Sequence, residues 1–250
     1  MLGIKTGQRV IELVETDSTN SYAARLMHLE VPEDGTVIMA GFQKAGRGQR
    51  GSGWESEPGK NLLISYILYP NFLKIADQFI LNQTISLAVH EFIKKSTSAS
   101  TAIKWPNDII AGTGKISGIL IENSIRSNQI MHSIVGIGIN INQLIFETYH
   151  PPAQSLSMIE NRVFSLKSCL TELNTCIDKW YNLLRINNFR KINEDYLNAL
   201  YLRNIPSRFE HNGQQFTGTI KGITPEGKLH LITEDGTSQL YLTKEIKYLL

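Results

Sequence analysis

The chain of 250 residues has only two cysteines, Cys169 and Cys176. They lie about two helical turns apart, too far for a disulfide within one helix, and read as buried free thiols of a reducing compartment. The six histidines are scattered, with no spacing that would gather metal ligands, so a protein-built metal site is not expected. An excess of one charge is lacking too: 25 basic residues against 23 acidic ones leave +2. That balance argues against a broad basic face for non-specific nucleic-acid binding, although not against a local basic pocket. No apolar run reaches the roughly 18 residues that a membrane-spanning helix needs, and the first residues lack the apolar core of a signal peptide. The expectation is a cytoplasmic protein without a membrane partner. What the chain does have, 42% hydrophobic and 19% charged residues, suits a globular protein with a real core.

Residues 10–15, 36–42 and 62–69 read as strands, the last ended by Pro70. Between the first two, Asp17, Ser18 and Thr19 offer N-cap oxygens to a helix with apolar spacing at Tyr22, Leu26 and Leu29. Residues 77–95 read as a long amphipathic helix with Phe79, Ile80, Ile85, Val89 and Phe92 inward. Residues 101–104 form a short strand stopped by Pro106. Residues 116–125 and 130–141 form a hairpin across a polar turn at 126–129. A helix capped by Ser165 runs to about Arg185, and another covers 190–200. Strands both single and in hairpins, with helices interspersed, predict an α+β fold on a mixed or antiparallel sheet. After Ile205 short strands alternate with the turns Asn212-Gly213, Pro225-Glu226-Gly227 and Asp235-Gly236. These predict a small β-barrel over 205–250, packed on a main domain of residues 1–204.

Four segments carry chemistry. Gly46-Arg47-Gly48-Gln49-Arg50-Gly51 fits the dinucleotide pattern G-x-G-x-x-G, but no apolar helix start follows, which removes that reading. Its glycines let backbone approach a ligand, and Arg47 and Arg50 offer forked donors to carboxylate or phosphate. Such a loop can be loose when empty and order around an anion. Lys104-Trp105-Pro106-Asn107-Asp108 sets a point charge for phosphate beside an aromatic plane, an amide and a carboxylate. Lys115 enters an apolar strand that runs through Gly118 to Glu122. Gly136-Ile137-Gly138-Ile139-Asn140-Ile141-Asn142 alternates small and apolar residues, and glycine inside a strand often marks close approach of a ligand.

Together with Glu15-Thr16-Asp17-Ser18-Thr19-Asn20, these segments resemble, in order, the motifs of biotin protein ligases. The resemblance implies a class II aminoacyl-tRNA-synthetase-like mixed sheet with helices and a small C-terminal SH3-like β-barrel. It implies ATP-dependent ligation of biotin, through a biotinyl-adenylate and with release of pyrophosphate, to a lysine of a biotin carboxyl carrier domain of a carboxylase. ATP, Mg²⁺ and biotin are then the implied substrates and cofactor. Arg47 and Lys104 are the implied catalytic residues. Ser18, Thr19, Asn20, Gln43, Arg47, Gly48, Gln49, Lys104, Lys115 and Gly118 would meet biotin. Arg47, Arg50, Trp54, Asn107, Lys115 and Asn140 would meet the nucleotide. Many members have arginine where this chain has Gln49, so the loop loses a charge there. Some members carry an N-terminal winged helix-turn-helix. This chain begins at the catalytic strand, which implies the monofunctional type without operator DNA. The alternatives are lipoate ligation, which needs an apolar tunnel without urea partners, and a non-catalytic nucleotide or nucleic-acid binding module.

Overall fold

The computed structural model describes residues 5–149 and 151–249. Seven of its apolar runs are strands of one sheet: β1 (Val10–Leu13), β2 (Thr36–Ala40), β3 (Leu62–Leu68), β4 (Thr101–Lys104), β5 (Asp108–Ala111), β6 (Gly114–Arg126) and β7 (Gln129–Ile139). Their order is β1-β2-β3-β7-β6-β5-β4. β1 is parallel to β2 and the other pairs are antiparallel, so the sheet is mixed. The expected hairpin is β6–β7, and Ser127 and Asn128 take left-handed φ values of 49° and 69° in its turn. β5 was not expected. It pairs with β4 to place Lys104 opposite Asp108, with Trp105, Pro106 and Asn107 turning the chain.

Because side chains alternate across a strand, the sheet offers two different faces. Val37, Tyr66, Leu68 and Val135 join the large core with α2 (Gln78–Ser96), α4 (Leu166–Arg185) and α5 (Phe189–Ala199). Ile38, Ile67 and Ile134, one residue out of phase, join a small cluster under α1 (Thr19–Leu29) with Ala23, Leu26 and Met27. Leu29, expected on that inner side, sits at the helix's last position and is 85% exposed. A short helix, α3 (Leu156–Glu160), has no counterpart in the sequence pattern; Ser155 caps it, as Ser165 caps α4. Both cysteines are free and buried on α4.

The C-terminal region is a second sheet of β8 (Pro206–His211), β9 (Gln214–Ile223), β10 (Leu229–Thr233), β11 (Ser238–Tyr241) and β12 (Lys247–Tyr248). All its pairs are antiparallel, in the order β11-β10-β9-β8-β12. The Trp105 indole N–H donates to the Gly227 carbonyl at 2.9 Å, which ties this sheet to the β4–β5 turn.

Glu91 ties α2 to α4. Its carboxylate accepts from Lys179 Nζ and Trp180 Nε1 at 2.7 Å and from Lys95 Nζ at 2.9 Å. Burial would raise its pKa, but the donors Lys179, Lys95 and Trp180 prevail and hold it at about 2 instead of 4.5. A depressed acid stabilises the fold fully above its unfolded pKa, so this contribution is present above pH 4.5 and drains away towards pH 2. The two lysines are half-exposed, so the expected cost of Glu91→Gln at pH 7 is about 1–2 kcal/mol. Urea unfolding of both proteins from pH 7 to pH 2 checks this. The gap should close as the pH falls, and a gap constant with pH would refute the assignment.

Candidate active site

The face of the sheet that carries α1 is only partly covered by it. Beyond the helix, the residues in phase with Ile67 and Ile134 are small: Ser65, Gly136 and Gly138, with Gly118 opposite Gly138. The three glycines floor a cleft of about 950 Å³, with Ser65 buried beside them. The glycine-rich loop, the β4–β5 turn and β12 supply its walls.

The strand glycines make room for other side chains of this chain. A Cβ on Gly136 would collide with the Asn20 carboxamide, one on Gly138 with the Trp54 indole, and one on Gly118 would lie 2.9 Å from Trp54. The sequence suggested a ligand as the close neighbour; the structure places Asn20 and Trp54 there. Gly138→Ala is therefore an overpacking change, expected to displace Trp54 and cost about 1–3 kcal/mol. Thermal unfolding and tryptophan emission, with Trp54→Phe to isolate the signal, test this; an unmoved Trp54 spectrum would count against it.

At the start of α1, Ser18 holds the N-cap position, but its hydroxyl accepts no capping bond. Gln43 satisfies the helix start in its place. The Gln43 Oε1 accepts from the Thr19 N–H at 2.7 Å and the Thr19 hydroxyl at 3.1 Å. The Ser65 hydroxyl lies 2.8 Å from Thr19 Oγ1 and donates to Asn20 Oδ1 at 2.6 Å. The Asn20 amide donates to Glu122 Oε2 at 2.7 Å and to the Leu120 carbonyl at 3.3 Å. Ser18, Thr19 and Asn20 are buried, and the last two are held in this network.

Arg47 donates to the same Glu122 oxygen at 2.8 Å, so an internal carboxylate occupies its guanidinium. The loop is folded. Trp54 N–H donates to the Gly46 carbonyl at 2.9 Å, Arg47 and Gly53 form a bridge, and Gln49–Gly51 make a single 3₁₀ turn. Lys244 Nζ donates to the Gln49 carbonyl at 3.0 Å, which links the loop to the C-terminal sheet. The side chain of Arg50 lies outside the described residues.

Across the cleft, burial pushes the Lys104 pKa below its ordinary value, while Asp108 opposes and Lys115 reinforces the shift. Lys115 pairs with Asp108 at 2.7 Å and sits 5.5 Å from the Trp54 ring. The Asn107 amide donates to the Ile119 carbonyl at 2.7 Å. Asn140 does not line the main cleft. It lines an adjoining hollow of about 190 Å³ that also meets Trp54, Lys104 and Lys115. Asn140 Oδ1 and Trp54 Nε1 are buried with no hydrogen-bond partner among the described residues, which is uncommon for buried polar atoms.

Arg47 and Lys104 thus line one cleft with Ser18, Thr19, Asn20, Gln43, Gly48, Gln49, Trp54, Asn107, Lys115 and Gly118. Three participants are not evident from sequence reasoning. Ser65 is the one small polar residue in the buried run LLISYIL, a signal that could have found it. Glu122 closes the Lys115 segment, and nothing local gives its carboxylate a partner. Tyr248 reaches the cleft only through packing between distant parts of the chain.

An arginine-bearing loop and a half-buried lysine facing one polar pocket on a mixed sheet suit an enzyme that handles anionic substrates. Residues 12–140 match the Biotin/lipoate A/B protein ligase family, and residues 208–247 match the Biotin protein ligase C terminal domain. The chain belongs to the biotin/lipoate A/B protein ligase family, and the relatives it resembles are biotin protein ligases. The bifunctional ligase/repressor BirA of Bacillus subtilis is 32% identical over 249 residues, 96% of this chain and 75% of that protein. The biotin--[acetyl-CoA-carboxylase] ligase of Mycobacterium tuberculosis is 30% identical over 192 residues, 73% of this chain and 69% of that protein. The biotin protein ligase from Aquifex aeolicus in complex with biotin and ATP superimposes with a TM-score of 0.79 at 27% identity, covering 96% and 98% of the two chains. The fold is accordingly the class II synthetase-like one expected from the sequence, with an antiparallel C-terminal sheet.

Proposed function

We propose that this protein joins biotin to ATP as biotinyl-adenylate and passes the biotinyl group to a lysine of a biotin carboxyl carrier domain. The observation that carries this reading is the shared cleft, which sets Arg47 and Lys104 beside the network around Ser18, Thr19 and Asn20. Biotin's ring is a urea, with one strong acceptor and two donors on an apolar body. Ser18, Thr19, Asn20 and Gln43 supply partners for it, and Ile119 and Leu120 line the same cleft. Leaving such a group unpaired costs about 1–3 kcal/mol, which selects biotin over a dithiolane. Gly48 and Gln49 close over the carboxylate, and Gly118 makes room for the Trp54 ring and the Lys115 side chain beside it.

The nucleotide lies towards Trp54, Asn107, Lys115 and Asn140, where the two unpartnered polar atoms await it. Arg50 keeps the phosphate role that the sequence suggested. One carboxylate oxygen of biotin attacks the α-phosphorus, and pyrophosphate leaves. Two anions must meet, so Arg47 and Lys104 neutralise the charge that builds there. The carrier lysine nitrogen then attacks the carbonyl carbon, and AMP leaves. Mg²⁺ carried on the triphosphate would add to this neutralisation.

Residues 1–204 form the catalytic domain in this reading, and 205–250 a second domain that closes the cleft. The carboxylase carrier is proposed from the relatives' names. A cytoplasmic site of action fits the two free thiols. Among the described residues, no helix is long and apolar enough to cross a membrane. The test is to incubate the protein with Mg²⁺, ATP and a purified carrier domain, with either biotin or lipoate. We expect one biotinyl group on one lysine and no lipoyl transfer. Equal or preferred lipoyl transfer would overturn the reading.

A further inference from the structure

We infer that Tyr248, on β12 of the C-terminal sheet, is a positioning residue that holds the Lys104 ammonium over the cleft by its aromatic face. This rests on the ligase reading, in which Lys104 neutralises the reacting anions. The ammonium lies 4.9 Å from the centre of the Tyr248 ring, within the roughly 6 Å range of a cation–π contact. Among the described residues no carboxylate forms a salt bridge with Lys104; the nearby Asp108 is taken by Lys115 at 2.7 Å. Lysine is a point charge on a flexible four-carbon stem. Without a partner it would sample several positions.

The ring itself is fixed. Tyr248 pairs with Phe209 across the β12–β8 ladder, and the two rings meet edge to face at 5.2 Å, with Phe209 fully buried. The Tyr248 hydroxyl is buried and makes no hydrogen bond, so the face of the ring is its polar contribution to the site. The titratable and charged groups about this pair are Asp108 on β5, Lys115 on β6, Tyr196 on α5 and Tyr201 after α5. Burial lowers the Lys104 pKa, and the electron-rich ring opposes that by stabilising the charged form. The C-terminal sheet thereby acts on the chemistry directly, as well as closing the cleft.

The test compares wild type, Tyr248→Phe, Tyr248→Leu and a protein with pentafluorophenylalanine at position 248. The last keeps the ring's shape and reverses its quadrupole, so it remains informative if leucine unseats the sheet. The Lys104 pKa is measured in the ligand-free protein from the pH dependence of acetic anhydride labelling, read by mass spectrometry. Leucine and pentafluorophenylalanine should each lower it by about half a unit or more. Phenylalanine should leave it with wild type. The alkaline limb of biotin-dependent pyrophosphate release should move down in pH by the same amount, and its midpoint does not depend on how much of a variant is folded. No shift with the fluorinated ring, or an equal shift with phenylalanine, overturns the proposal. A wild type that releases no pyrophosphate would sink the ligase reading alone, because the labelling result needs no turnover.

Discussion

Lys104→Ala is expected to slow acyl-adenylate formation by about 10²–10³-fold, the usual cost of removing one pre-placed charge from a site where charge develops. Lys104 ends β4, and the β4–β5 hairpin sets it opposite Asp108. Its burial carries a desolvation cost, as its lowered pKa shows, and a carboxylate meeting a triphosphate would offset it. The variant should still fold, because the apolar residues of β4 and β5 remain. Rapid-quench measurement of pyrophosphate release with saturating biotin and ATP gives the rate of this step. Release near the wild-type rate would remove Lys104 from the chemistry.

Arg47→Ala should act on retention of the intermediate as well as on its formation. In the ligand-free protein the Arg47 guanidinium is held by Glu122 at 2.8 Å. The adenylate phosphate is a second anion competing for the same donors. On binding, Arg47 would exchange one partner for the other and draw the folded loop over the ligand, shielding the anhydride from water. Losing a charge-assisted hydrogen bond of about 1.5–3 kcal/mol speeds escape by about 10–100-fold. Glu122 would keep its bond from Asn20, so the pocket should survive the change. Chasing preformed adenylate off the enzyme and following free adenylate gives the leak rate. An unchanged rate would count against the flap.

Much of the fold is legible in the sequence because it is local. The β6–β7 hairpin announces itself by apolar alternation on both sides of a polar turn. Ser165 marks the start of α4 and does cap it, accepting from the Ser168 N–H at 3.3 Å. What escapes is decided by tertiary contact. β5 is four residues long and hidden behind Pro106, so no period could reveal it. Ser18 has the side chain of an N-cap, yet Gln43 from a distant loop satisfies the helix instead. Gly136 and Gly138 signal a close approach correctly, but a sequence cannot name the approaching atoms, here Asn20 and Trp54. Gly46–Gly53 suggests flexibility, whereas its own backbone bonds and the Arg47–Glu122 pair fold it. The Tyr248 contact with Lys104 joins distant parts of the chain and leaves no local trace.

The most direct measurement follows the bond that the cleft is proposed to make. Biotin labelled with ¹⁸O in its carboxylate is incubated with the protein, Mg²⁺, ATP and carrier, and the nucleotide products are weighed by mass spectrometry. Attack on the α-phosphorus predicts pyrophosphate together with AMP carrying one ¹⁸O. Unlabelled AMP, or ADP and phosphate in its place, would contradict it.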